Sequence, residues 1–359
     1  MLIDVAFCVD AANLKQVAVV MASIRRSALP TTGHRFHLIY DGAEGEGLKA
    51  FRNLTRGQDT FVHFASSRFD KHAQVGHISS AALLRTQLPV VLPDVHRVLY
   101  LDADLIVQRD LTDLFNTDLD GCVMAGVVDI GMYALINRLM ANNDPAMFNH
   151  MANTVGLDPH ETLYVNSGML LLDLDALRAM SFSQSASEVL DRRGNEFIWR
   201  DQDLINHLLA GKVKQLDPRW NVLASLMLDV DDHSHVPASL KAGLAAQERE
   251  QWIVHYTAWA KPWNSENVWR RELWWEIARS LDTKWPEVGT ETRPGPLLRA
   301  IAKVYRTLLP HALRTKLLPL KIALHHQMKA WRKISPIAGL GTQIGRSKPS
   351  KAHRWRGPL

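Results

Sequence analysis

The 359 residues suffice for one large domain with an appendage, or for two ordinary domains. With 47% apolar and 22% charged residues, a buried core is available, which excludes collagen-like, coiled-coil and largely disordered readings; two cysteines, Cys8 and Cys122, make no disulfide framework and suit a reducing compartment. The net charge of +5 is unevenly spread: 15 of the 42 Lys and Arg and none of the 37 Asp and Glu lie from Arg293 onward, which leaves 27 basic against 37 acidic residues, net −10, before it.

In chain order, residues 3–9, apolar apart from Asp4, read as a buried strand. Residues 13–25 carry Leu14, Val17, Ala18, Met21 and Ile24 at helical spacing. Residues 35–40, ending at Asp41-Gly42, read as a second strand and turn, and residues 61–64 as a short third one. Residues 79–88 read as a helix closed by Pro89 and Pro93. Residues 97–101 form a short strand that runs into Asp102. The β-α-β rhythm predicts an α/β fold with a mostly parallel, Rossmann-like sheet flanked by helices. In such sheets ligands bind beyond the carboxyl ends of the strands, where Asp10 and Asp102 fall; aspartate is also common there for turn chemistry alone.

Further on, residues 164–174 read as an apolar strand opened by Asn166, Ser167 and Gly168. Asp201-Gln202-Asp203 precedes Leu204, Ile205, Leu208 and Leu209, a helix start with acids at the positive end of the dipole. The expected organisation is a catalytic domain over residues 1–285, a linker at 286–296, a basic amphipathic helical region at 297–334 and a disordered tail at 335–359. In residues 297–309, Leu297, Leu298, Ile301, Val304, Tyr305, Leu308 and Leu309 share one face, and Arg299, Lys303 and Arg306 lie opposite. That separation suits a peripheral contact with an anionic membrane surface better than nucleic acid. Neither a signal peptide nor a membrane-spanning stretch is read, so the expected location is cytoplasmic, on the inner face of the membrane.

The sharpest local feature is Asp102-Ala103-Asp104. Extended residues two apart project to one side, so both carboxylates face the same way. They read as turn caps or, with no nearby Lys or Arg to pair with, as a pair that repels unless a cation neutralises it. Carboxylates suit Mg²⁺ or Mn²⁺, and an imidazole from His255, which follows the apolar run Trp252-Ile253-Val254, favours Mn²⁺. Lys261 lies six residues further on, either a solvated charge or a phosphate contact.

Taken in order, these segments resemble the family-eight retaining glycosyltransferases, particularly the bacterial lipopolysaccharide and lipooligosaccharide galactosyl- and glucosyltransferases. The likeness covers residues 3–275. It begins at His77-Ile78-Ser79-Ser80 and Arg85, and continues through residues 97–104 and 110–115. Asn166 to Leu172, Asp201 to Asn206 and His255 to Trp263 complete it. It implies a glycosyltransferase A fold with Mn²⁺, or Mg²⁺, held by Asp102, Asp104 and His255. Lys261 would contact the diphosphate of a UDP-hexose donor, and Asp10 the uracil, with Asn13 beside it. Arg85, Asp129, Asn166, Asp201 and Gln202 would surround the donor sugar, Gln202 on its β face, and Ala103 would lie between the metal ligands. Two departures stand out. Asp10 is followed by Ala11, Ala12, Asn13 and Leu14, without the family's stacking tyrosine, and Ala258-Trp259 replaces a common Gly-Pro.

The function expected from the resemblance is retaining transfer of galactose or glucose to a saccharide acceptor, a lipopolysaccharide core or similar glycolipid. Gln202 is a poor nucleophile because an amide oxygen carries no charge, which favours front-face attack over a covalent intermediate. The alternative from another class is a non-catalytic sugar-nucleotide-binding protein of the same fold.

Overall fold

A computed structural model of the protein describes residues 1–65, 80–258 and 260–281. Backbone contacts divide the chain into two units, Met1–Arg293 and Pro294–Leu359. The expected linker, basic helical region and tail, and the segment 66–79 with His77, lie outside the described residues.

Among the described residues, ten strands make two sheets. Strands β1 (Leu2–Asp10), β2 (Gly33–Asp41), β3 (Asp59–Phe64), β4 (Arg97–Leu101), β6 (Met124–Val128), β7 (Val165–Asp173) and β8 (Val213–Gln215) form a seven-stranded sheet in the order β3-β2-β1-β4-β7-β6-β8. Strands β5 (Leu105–Val107), β9 (Val222–Leu223) and β10 (Ile253–His255) form a second, ordered β5-β10-β9. Only β7 runs against its neighbours in the large sheet.

The unbroken apolar runs follow from burial on both faces. On one face Ile3, Val5, Phe7 and Val9 of β1 join Leu99 and Leu101 of β4, under Val17 and Met21 of the helix Leu14–Ser27. On the other, Ala6 and Cys8 join Val98, Tyr100 and Leu170, covered by Leu177, Phe182, Leu190 and Leu204. Each such aliphatic side chain contributes roughly 1.5–3 kcal/mol when fully buried. Asp4 interrupts the run and is satisfied within it, accepting from both Arg35 nitrogens at 2.7 and 2.6 Å and pairing with His37 at 2.8 Å.

The helix expected over residues 79–88 is broken. A single α turn, Ser80–Leu83, passes into the 3-10 turn Leu84–Gln87 and then the short helix Leu88–Val91. Pro89 does not close the element: it sits in the first turn of Leu88–Val91, where an N–H has no helical acceptor to lose. The 3-10 turn has a use, since it carries Arg85 under the end of β4.

Strand order reverses between β1 and β4: β2 and β3 build outward on one side, β4 and its neighbours on the other. The two strands are parallel, Val5 opposite Leu99 and Ala6 opposite Tyr100, so a crevice opens beyond their carboxyl ends, next to Asp10 and Asp102.

Candidate active site

Two ladders deliver the acidic pair. The Asp102 amide donates to the Gly168 carbonyl at 2.8 Å, extending the β4–β7 pairing by one residue. The Tyr256 amide donates to the Asp104 carbonyl at 2.9 Å, extending the antiparallel β5–β10 pairing in which His255 faces Leu105. Asp102-Ala103-Asp104 is therefore the link between the two sheets, with Ala103 half-buried against the core. His255, at the end of β10, reaches the same point.

One ligand atom from each of Asp102, Asp104 and His255 lies within 4.8 Å of the other two. His255 Nε2 is 3.2 Å from Asp104 Oδ1 and 3.8 Å from Asp102 Oδ2. Adjacent ligands about 2.1 Å from a common octahedral centre stand about 3 Å apart, so these spacings fit a small divalent cation with slight adjustment. Asp104 Oδ1 is buried and receives no hydrogen bond. A lone buried carboxylate oxygen facing an imidazole and a second carboxylate has the donor set of a cation site.

The expectation that no base pairs with these carboxylates is wrong. Arg85 Nη2 donates to Asp102 Oδ1 at 2.8 Å, and Lys261 Nζ bonds Asp104 Oδ2 and the Tyr256 carbonyl. These bases stand 17 and 157 residues from their partners in sequence, so only the fold reveals the pairing. Burial of Asp104 opposes ionisation, but the Lys261 and His255 charges outweigh it and hold the carboxyl well below the usual range.

Arg85 is fully enclosed. It lies 4.3 Å over the Tyr100 ring and donates to the Ser167 carbonyl at 2.7 Å and the Ala82 carbonyl at 2.9 Å. Its second carboxylate is Asp201, at 3.1 Å. Burial disfavours the guanidinium charge, but Asp102 and Asp201 keep it firmly protonated. The Tyr100 hydroxyl donates to Asp102 Oδ1 at 2.6 Å. Burial raises the Asp201 carboxyl above its ordinary range, with Arg85 opposing and the Asp102 charge adding to the rise.

Next to this group is one built from two amides and a carboxyl. Asn166 Nδ2 donates to Asp129 Oδ2 at 3.0 Å and to Gln202 Oε1 at 3.1 Å, and Gln202 Nε2 donates to Asp129 Oδ2 at 3.1 Å. Gln202 Oε1 also accepts from the Ser167 amide at 3.1 Å. Asp129 Oδ1 caps the helix Ile130–Ala141 through the Met132 amide. In the helix Arg200–Leu208, Asp201 is no cap: its Oδ2 accepts from the Ser167 hydroxyl at 2.9 Å. Asp203 instead is buried below, accepting from the Tyr164 hydroxyl and the Trp199 amide and pairing with His150.

Asp10 and Asn13 are bonded to each other. Asp10 Oδ1 accepts from the Ala12 amide and from Asn13 Nδ2, both at 3.0 Å, and so closes the 3-10 turn Ala11–Asn13. Asp110, within the shared run, is structural: it clamps the Leu29 and Thr112 amides. A separate open cavity of about 460 Å³, walled by Tyr133, Phe148, His160 and Leu163, is lined by none of the predicted site residues.

Sequence reasoning missed Asn221 and the reason for Gly168. Asn221, one residue before β9, donates from Nδ2 to Asn166 Oδ1 at 2.9 Å and lies 3.0 Å from His255 Nδ1 through Oδ1. A Cβ on Gly168 would stand 2.1 Å from His255 Cε1 and 2.9 Å from Asp102 Oδ2, so only glycine admits the imidazole. Asn221 sits in an aperiodic turn and gave no sequence signal.

The family model of glycosyl transferase family 8 matches residues 4–267, well over half of the chain. General stress protein A of Bacillus subtilis is 24% identical over 237 residues, 64% of this chain and 74% of that protein. The lipopolysaccharide 1,2-glucosyltransferase of Escherichia coli is 27% identical over 184 residues, 51% of this chain and 48% of that protein. The chain thus spans three quarters of one relative and about half of the other. Among solved structures, the galactosyltransferase LgtC in complex with donor and acceptor sugar analogs superposes with a TM-score of 0.67 at 25% identity, covering 79% of this chain and 98% of that one. The fold is that of the glycosyltransferase A enzymes, and the chain belongs to glycosyl transferase family 8.

Proposed function

We propose that the protein is a metal-dependent retaining hexosyltransferase that moves galactose or glucose from a UDP-sugar to a saccharide acceptor, a lipopolysaccharide core or similar glycolipid. The observation that carries this reading is the convergence of Asp102, Asp104 and His255 beside the Asp129–Asn166–Gln202 cluster at the strand-order reversal. The E. coli relative named for glucosyl transfer and LgtC, a galactosyltransferase, support the hexose.

Asp102, Asp104 and His255 would hold Mn²⁺ or Mg²⁺, which when bound neutralises charge developing on the diphosphate leaving group. Lys261 leaves Asp104 and donates to the same phosphates. Asp10 and Asn13, bonded together at the end of β1, form the polar rim for the uracil. Arg85, locked between Asp102 and Asp201, holds the acidic wall at fixed spacing. Asp129 and Gln202 face the sugar; the carboxyl and amide oxygens there suit an oxocarbenium-like transition state. Gln202 Oε1 already accepts two hydrogen bonds, which restrains it from attacking carbon and favours front-face transfer, with the leaving phosphate taking the acceptor proton.

The decisive assay is UDP release with Mn²⁺ over a panel of UDP-sugars. Turnover with UDP-galactose or UDP-glucose that vanishes in Asp104→Ala supports the reading. A wild-type chain that binds UDP-sugar without turnover supports the non-catalytic alternative. The basic residues 297–334, with their apolar and basic faces separated in the sequence, support a peripheral contact with an anionic membrane surface on the inner face of the cytoplasmic membrane, next to glycolipid acceptors. Flotation on vesicles with and without anionic lipid tests this, and equal flotation of a chain ended at Glu291 counts against it. No described helix is long and apolar enough to cross a membrane.

A further inference from the structure

We propose that Asn221 is a positioning residue that fixes the tautomer of His255 and thereby aims a nitrogen lone pair at Asp102 and Asp104. The proposal rests on the reading of those three residues as cation ligands.

One chain of hydrogen bonds orients each amide in turn. The Gly168 amide is a backbone N–H, able only to donate, and it lies 3.0 Å from the Asn166 side-chain oxygen. Asn166 Nδ2 faces the Asp129 carboxylate, able only to accept. The Asn166 amide therefore has one orientation. Its oxygen also takes a hydrogen bond from the Asn221 side chain at 2.9 Å, so Asn221 must present its NH₂ there and its oxygen to His255. An amide oxygen carries no proton. His255 Nδ1, 3.0 Å away, must then carry a proton in the neutral and the charged ring alike, and Nε2, facing Asp104 Oδ1 and Asp102 Oδ2, is the nitrogen whose lone pair is freed when a cation replaces a proton there.

The choice matters because the local charges favour the opposite tautomer. Two carboxylates next to Nε2 draw a proton to that nitrogen, and an Nε2–H points a hydrogen where a cation must bind. Asn221 is 1% exposed, so no water competes for the Nδ1 proton. In the wrong tautomer the Nδ1 lone pair would face an amide oxygen at 3.0 Å, a buried repulsion with no compensation. The same amide ties His255 to Asn166, and through it to Asp129 and Gln202, so the cation ligand and the sugar-side cluster share one fixed frame.

The test uses the full chain and Mn²⁺ alone, with free Mn²⁺ read by electron paramagnetic resonance. Asn221→Leu keeps the volume and removes both hydrogen bonds; its Mn²⁺ affinity should fall about 10–100-fold, the usual effect of losing the partner of a metal-bound histidine. Asn221→Asp still accepts from Nδ1–H but sets a carboxylate oxygen against Asn166 Oδ1, so it should bind Mn²⁺ less well than wild type yet clearly more tightly than Asn221→Leu, a partial rescue that loss of packing cannot give. In metal-free wild-type protein, long-range ¹H–¹⁵N spectra, with His255 assigned by its own substitution, should show a proton on Nδ1, in the charged ring and in the neutral Nδ1–H tautomer alike. Wild-type affinity in Asn221→Leu, or an Asn221→Asp variant as weak as Leu, overturns the proposal. So does an Nε2–H tautomer in the wild type, a measurement that stands even if the Leu variant does not fold. A wild-type chain that binds no Mn²⁺ overturns the cation reading and this proposal together.

Discussion

Replacing Gly168 by Ala is a severe test of the site geometry, because the added methyl has nowhere to go. Its Cβ would stand 2.1 Å from His255 Cε1, 2.9 Å from His255 Nδ1 and 2.9 Å from Asp102 Oδ2. Carbon atoms in contact sit about 3.5–4.0 Å apart, so the ring must retreat by roughly 1.5 Å. Gly168 cannot yield instead: its amide is bonded to Asn166 and its carbonyl to the Asp102 amide. Such overpacking costs about 1–3 kcal/mol. At about 2–4 °C per kcal/mol, the melting temperature should fall by roughly 2–12 °C. The functional loss should be larger in proportion, since a displacement near 1 Å can cost about 100-fold in turnover. Gly168→Ala is therefore expected to fold, to bind Mn²⁺ at least about tenfold more weakly and to release UDP about 100-fold more slowly. Gly47→Ala is the control: its Cβ meets only Leu14 Cδ1 at an ordinary 3.6 Å, within the exposed-side helix Glu46–Leu54. Wild-type Mn²⁺ affinity in Gly168→Ala would mean that His255 does not occupy the position described.

Lys261→Met should separate two properties: Mn²⁺ binding without nucleotide should tighten, because a competing ammonium leaves Asp104, while UDP release should fall at least about tenfold for loss of a charge-assisted phosphate contact. Parallel losses in both would contradict the two-position role of the lysine. Gln202→Ala should slow UDP release by about 100–1,000-fold without abolishing it, as expected for a lost polar contact at the transition state; complete loss, with a trapped sugar adduct in the wild type, would favour covalent chemistry. Asp4 tests stability against pH. Burial alone would raise its pKa, but hydrogen bonds from His37 and Arg35 hold it below the ordinary value. A carboxyl depressed in the fold stabilises above its unfolded pKa of about 3.9, and that contribution disappears as pH falls through the folded value. Melting curves of wild type and Asp4→Asn should thus differ most near neutrality and converge as the pH falls below the ordinary carboxylate range and through the depressed folded value; a constant offset would rule the linkage out.

The large sheet was legible because burial on both faces writes itself as unbroken apolar runs; β1, β2, β4 and β7 all appear in that form. The acids at strand ends were legible for a related reason, since a run that stops at a carboxylate marks where the core ends. Strand direction was not legible: nothing in Val165–Asp173 says that it runs against its neighbours. Of the small sheet only β10 showed, as the apolar run Trp252-Ile253-Val254, because two- and three-residue strands such as Val222–Leu223 carry no periodicity. Asn221 was hidden for the same reason, its partners lying 34 and 55 residues away. The neutralising bases failed to show because a charge balance counted along the chain ignores what folding brings together.

The reversed strand explains why the site needs so little loop. A parallel strand in the place of β7 would bring its final residues to the crevice; running backwards, β7 brings its first, Asn166, Ser167 and Gly168, to the carboxyl ends of β4 and β6. Their positions are set by ladder hydrogen bonds rather than by a flexible connection. The same holds on the other side, where the antiparallel β5–β10 pairing sets His255 against Asp104. The single residue between Asp102 and Asp104 then has a structural meaning. Asp102 belongs to one ladder through its amide and Asp104 to the other through its carbonyl, so the spacing of two is the distance between sheets. A one-residue insertion after Ala103 would keep both carboxylates and both sheets yet take Asp104 out of register with His255, and with it the shared cation. The geometry of the pair resides in that register as much as in its chemistry.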